Sequence, residues 1–148
     1  MSEQPLTRCE FNTKSLILRL DLSIPAMKKA VAPFVDKVMG IVKQIGCAEG
    51  KEFEIETALI EALANAITHG AGDDPDKQIQ VCVACDEARG MLIIVRDPGG
   101  GFDPAQIPNP VRGKNLYSEH GRGIYLINQL MDEVRFEEGG TEIHMRKA

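Results

Sequence analysis

Between Pro98 and Glu119 the chain loses regular periodicity. That stretch holds Pro98, Pro104, Pro108 and Pro110 together with Gly99, Gly100, Gly101 and Gly113. Proline removes a backbone donor and fixes φ, while glycine loses the most entropy on ordering, so neither helix nor strand is expected to run through it. A long irregular segment is uncommon in a compact domain unless it serves a function. With 148 residues, 43% of them hydrophobic, the chain is long enough for one core and too short for two ordinary domains. The regular elements on either side of the segment must therefore share that core. A single domain over 1–148 is expected, with residues 1–13 as a flexible N-terminal arm.

Upstream, Leu16, Leu18, Leu20 and Leu22 alternate with Ser15, Ile17, Arg19 and Asp21, the period of a strand over 14–22. Ser23 and Pro25 read as an N-cap and an early helical residue, opening a helix through about Ile45 that Gly46 stops. Met27, Val31, Phe34, Val35, Val38 and Ile41 keep helical spacing, and Pro33 and Gly40 allow kinks. A second helix is expected from near Glu52 to His69, with Gly70 as a left-handed C-cap. The apolar runs 78–85 and 91–96 flank a polar turn and read as a hairpin.

Downstream, Gly121-Arg122-Gly123 leads into a helix whose Ile124, Ile127, Leu130 and Met131 share a face. A closing hairpin pairs 133–136 with 141–145 through Gly139-Gly140. Helices and strands segregate, so the fold class is α+β: a two-layer sandwich with a mixed, mostly antiparallel sheet and helices on one face.

Seventeen Lys and Arg against twenty-two Asp and Glu give a net charge of -5, which argues against a protein that neutralises nucleic-acid phosphates. No run approaches the roughly 18 apolar residues that cross a bilayer, and residues 1–11 lack a signal-peptide core, so the expected location is cytoplasmic. Of Cys9, Cys47, Cys82 and Cys85, the last two come nearest to a metal or redox spacing. They sit in a β-branched run where residues three apart face opposite ways, so both read as buried reduced thiols.

Three motifs carry chemistry. On the second helix, Leu63 and Ala66 share a face with Leu59, whereas Glu61 and Asn65 lie together on the opposite one. A carboxamide oxygen suits Mg²⁺, and a carboxylate one turn away can take a proton from an attacking hydroxyl. Spacing alone more often marks a solvated helix face. The second motif is Arg96-Asp97-Pro98-Gly99-Gly100-Gly101 after an apolar strand, where Asp97 can project from the strand end and the glycines permit close approach to a ligand. A plain surface turn fits those residues equally well. In the third, Gly121-Arg122-Gly123, free N–H groups at a helix mouth and an arginine suit phosphate, although an ordinary helix start has the same look. His69 and His144 are read as structural. No P-loop and no dinucleotide fingerprint is present.

In this order, over about residues 14–147, the motifs resemble the Bergerat-type ATPases, and most closely the anti-sigma-factor serine/threonine kinases. The resemblance implies a general base at Glu61 and a Mg²⁺ ligand at Asn65. It also implies adenine recognition by Asp97, glycine turns at Gly99 and Gly101, phosphate contacts from Gly121, Arg122 and Gly123 beneath an ATP lid, and support for adenine recognition from Thr141. The implied reaction moves the γ-phosphoryl of MgATP, leaving ADP, to a serine or threonine of an anti-anti-sigma factor. The domain would otherwise hold a sigma factor, act as a homodimer, and touch neither nucleic acid nor membrane. Some family members carry an arginine just before the phosphate-binding glycines, where this chain reads Glu119-His120. A nucleotide-dependent regulatory binding protein without kinase activity is the alternative.

Overall fold

The computed structural model describes residues 16–99 and 119–148, with the backbone alone at 119–122. The arm 1–13, Cys9 and Gly101 lie outside the described residues, as do the side chains of Glu119, His120 and Arg122.

The elements in chain order are β1 (Leu16–Pro25), α1 (Val31–Ile45), α2 (Glu52–Asn65), β2 (Gln78–Asp86), β3 (Gly90–Arg96), α3 (Glu119–Leu130), β4 (Glu133–Glu137) and β5 (Glu142–Lys147). The five strands form one sheet in the order β1-β2-β3-β5-β4, and every described pairing is antiparallel. α2 packs between α1 and α3.

The core is the contact between these helices and one face of the sheet. Val35, Val38 and Val42 of α1, Leu59 and Leu63 of α2, and Ile127 of α3 are buried with Val81, Val83, Ile93, Val95 and Met145. A second, smaller cluster of Cys82, Ala84, Leu92 and Ile94 occupies the other face. Burial on both faces is why β2 and β3 read as near-continuous apolar runs. Cys85 belongs to the first cluster and Cys82 to the second, as period two requires. Both are free thiols, as is Cys47.

The start of the first helix departs from expectation. Ser23 and Pro25 are strand residues, paired with Gln80 and Gln78, and α1 begins at Val31 after a 3₁₀ turn over Lys28–Ala30. The strand continues because Ile24 extends the inward set of leucines and is almost wholly buried. Pro25 is tolerated because β1 is an edge strand and its missing donor falls on the last pair. Pro33 then lies in the first turn of α1, where no intrahelical N–H is needed. Gly46 ends that helix as expected, left-handed at φ 78° with its N–H on Val42 O at 3.0 Å.

The second helix also departs. The α-helical register stops at Asn65, and Ala66–Gly70 form a π turn in which the Ala71 N–H reaches Ala66 O at 2.8 Å. Gly70 is not left-handed; the positive φ values fall at Gly72 (63°) and Asp73 (57°). Glycine at 70 thus answers to space and not to backbone conformation.

Candidate nucleotide site

Four segments converge on a cavity of about 230 Å³ between α2 and the sheet. The π turn contributes His69 and Gly70, the end of β3 contributes Val95 and Asp97, α3 contributes Ile124, and the β4–β5 connection contributes Gly140 and Thr141. Asn65 lines the same cavity from the last α-helical turn of α2. Its floor is apolar, with Ala62, Phe136 and Ile143. An apolar slot with a few converging polar groups is the usual form of a site for a flat, partly polar ligand.

Asp97 is the anchored polar group of this cavity. Its N–H donates to Thr141 O at 2.9 Å, which ties the strand end to the β4–β5 turn. Its Oδ1 accepts the Gly99 N–H at 2.8 Å. Burial raises its carboxyl above the ordinary value, against the lowering effects of the Gly99 N–H and the Arg96 charge. Desolvation therefore dominates, and the carboxylate gains when a ligand supplies a donor. The turn that carries Thr141 is held left-handed at Glu138, Gly139 and Gly140. The Thr141 hydroxyl closes it by donating to Glu138 O at 2.8 Å, so Thr141 meets Asp97 through its main-chain carbonyl.

Glu61 and Asn65 share a helix face, and α3 approaches both. A Cβ built on Gly123 would lie 3.1 Å from Glu61 Oε1 and 3.2 Å from Asn65 Nδ2. Any larger residue there would crowd them. Gly121 and Gly123 both belong to the opening turns of α3, which begins at Glu119. The helix thus starts two residues before Gly121 instead of after Gly123, and its opening turns stand beside a carboxylate and an amide, an arrangement suited to a phosphate chain with a bound cation.

Of the site residues read from sequence, Asn65, Asp97 and Thr141 line one cavity, while Glu61 and Gly123 adjoin it through Asn65. Gly99 stands behind Asp97. Sequence reasoning passed over His69 and Gly70, which do line the cavity. The signal for His69 was available, since 61, 65 and 69 are successive i+4 positions. Gly70 has the look of a helix cap, and nothing local marks it otherwise. Among the described residues no group of three or more His, Cys, Asp or Glu side chains is arranged to hold a metal. The candidate set for Mg²⁺ is the single amide of Asn65, which fits a cation that keeps most of its water and phosphate ligands.

The comparisons with known proteins agree with this geometry. Residues 24–147 match the family model described as a histidine kinase-like ATPase domain. The chain is similar to the serine-protein kinase RsbW of Bacillus subtilis, 27% identical over 135 residues that cover 86% of this chain and 84% of the relative. It is 30% identical to the protein of that name from Bacillus licheniformis over 138 residues, with the same coverage. With that of Bacillus cereus (strain Q1) it is 30% identical over 134 residues, covering 83% and 81% of the two chains. A pocket that Asn65 and Asp97 line together, an aspartate at the end of β3 and family matches over most of the length converge on one assignment: the chain belongs to the anti-sigma-factor serine kinase family, built on the histidine kinase-like ATPase domain.

Proposed function

We propose that the cavity binds MgATP and that the protein transfers the γ-phosphoryl group to a serine or threonine of an anti-anti-sigma factor. The carrying observation is the close approach of Gly123 to both Glu61 and Asn65, which leaves little room for a Cβ there, beside a cavity that Asn65 and Asp97 line together. Asp97 accepts the adenine amino group at its open carboxylate oxygen, with Gly99 and Gly101 letting the backbone pass close to the ring and Thr141 holding the strand end. Gly121, Arg122 and Gly123 receive the phosphates. Asn65 is the protein ligand for Mg²⁺, whose charge neutralises the phosphate oxygens. Glu61 takes the hydroxyl proton as the new O–P bond forms and the bond between the γ-phosphorus and the bridging oxygen breaks, releasing ADP. Such transfer depends mainly on positioning and charge, so this small set suffices.

The regulatory reading follows from mutual exclusion. An unphosphorylated antagonist competes with a sigma factor for the domain, and its phosphorylation frees the domain to hold the sigma factor. We assign a homodimer, with apolar surface of β1 and α1 as its interface, acting in the cytoplasm without direct nucleic-acid contact. No described helix is long and apolar enough to cross a membrane.

The test is to incubate the purified protein with labelled MgATP and each anti-anti-sigma-like protein of its own genome. A labelled partner whose labelling disappears with Glu61→Ala, while ATP binding persists, is the expected result. Absence of calorimetric heat with both ATP and ADP sinks the proposal. Glu119-His120 in place of an arginine favours one second reading, in which nucleotide is only a conformational ligand. In that case Glu61→Ala leaves partner regulation intact.

A further inference from the structure

Resting on the nucleotide reading above, we infer that Gly70 is a positioning residue for the Asp97 carboxylate and thereby governs which base the cavity accepts. Gly70 has no left-handed φ, so conformational freedom does not account for it. Space does. A Cβ at residue 70 would lie 2.2 Å from Asp97 Cγ, 2.5 Å from its Cβ and 2.5 Å from its Oδ2. These separations are far inside van der Waals contact. The fit recurs one residue beyond Pro98, where a Cβ on Gly99 would lie 2.2 Å from Gly70 O.

Asp97 is thus seated against one bare Cα, with a second bare Cα packed behind. The Gly99 N–H fixes Oδ1, and the bond from Asp97 N to Thr141 O fixes the backbone. The π turn brings Gly70 to this position by adding a residue to the last turn of α2. A carboxylate so placed accepts from the amino group at C6 of adenine and repels the oxygen of a 6-oxopurine. That discrimination depends on where the carboxylate stands, and a methyl group at 70 must displace it or the strand end.

The experiment is calorimetric binding of MgATP and of its inosine counterpart, MgITP, to the full chain and to Gly70→Ala. The wild type is expected to favour ATP by about 10- to 100-fold, the range set by one hydrogen bond replaced by an unpaired, repelled acceptor. In Gly70→Ala the ratio is expected to fall towards one. A merely structural defect would weaken both nucleotides alike and leave the ratio standing, which overturns the inference. If Gly70→Ala does not fold, combining it with Asp97→Gly moves the missing Cβ to the other side of the contact. Recovery of a cooperative thermal transition with an ATP-to-ITP ratio near one then supports the inference, and continued failure to fold, or a ratio kept at the wild-type value, overturns it. A wild type that binds both nucleotides equally overturns it while leaving ATP binding intact; one that binds neither sinks the underlying reading as well.

Discussion

Gly123 of α3 lies against the carboxylate of Glu61, so close that a Cβ at 123 would stand 3.1 Å from Oε1. The neighbours are the ends of flexible side chains, which can yield by a few tenths of an ångström. Gly123→Ala should therefore fold, and the loss of a helical glycine should stabilise it by up to about 1 kcal/mol. Its cost should appear in catalysis, because Glu61 and Asn65 are pushed from their places. A fall of about tenfold in single-turnover phosphorylation is expected, with thermal stability kept or raised. Full activity in the alanine variant would show that the contact has no catalytic meaning.

Asp97 gives a pH signature. Its carboxyl is raised in the folded protein, first by burial, with the Gly99 N–H and Arg96 opposing. The associated stability is fully present below the ordinary carboxylate range, near pH 4, and is lost as pH rises through the folded value. Asp97→Asn keeps an acceptor for the Gly99 N–H and does not titrate. Its melting temperature relative to wild type should thus be higher at neutral pH, and the difference should shrink towards pH 4. ATP binding should weaken in the same variant. A difference in melting temperature that stays constant with pH would contradict the account.

The sulfur groups of Cys47, Cys85 and Met91 are neighbours: Cys47 Sγ is 3.6 Å from Met91 Sδ, and Cys85 Sγ is 3.9 Å from Cys47 O. Burial, reinforced by the hydrogen bond with Cys47, pushes the Cys85 thiol up to about 12, so almost no thiolate exists there near neutral pH. Cys47 is only half-buried. In Cys9→Ser protein a maleimide should label Cys47 first, with Cys82 and Cys85 following only as the protein opens. Peptide mapping by mass spectrometry over time checks the order, and Cys85 reacting as fast as Cys47 would refute it.

Leu59 and Phe53 lie on the same helix with opposite fates. Leu59 is fully buried in the core under the sheet, whereas Phe53 is 73% exposed. Leu59→Ala should cost about 2–5 kcal/mol in denaturant unfolding, from lost transfer energy and the cavity left behind. Phe53→Ala should stay within about 0.5 kcal/mol of wild type. Similar losses from both would place Phe53 in an interface that the isolated chain does not reveal.

Much of this molecule was legible from its residues in order. The apolar runs 78–85 and 91–96 on either side of a polar turn located the central hairpin, and Gly46 marked the end of α1. The i, i+4 spacing of Glu61 and Asn65 is enough to put them on one helix face. Extrapolation failed where a distant partner changed the local choice. Ser23 and Pro25 have the composition of a helix start, yet pairing with Gln80 and Gln78 holds them in β1. Gly70 has the composition of a cap, yet it is shaped by Asp97.

Residue order alone thus determined which faces are apolar, where the elements change and which polar groups are spare, because those properties depend on neighbours within one turn or one pleat. Tertiary structure decided that a π turn carries Gly70 to Asp97, that Cys47 meets Cys85, and that Gly123 closes on Glu61. Each of these contacts joins residues 27 or more positions apart. No local period encodes such a meeting. It is set by how helices of given lengths settle on a twisted sheet, and by which side chains are small enough to let them.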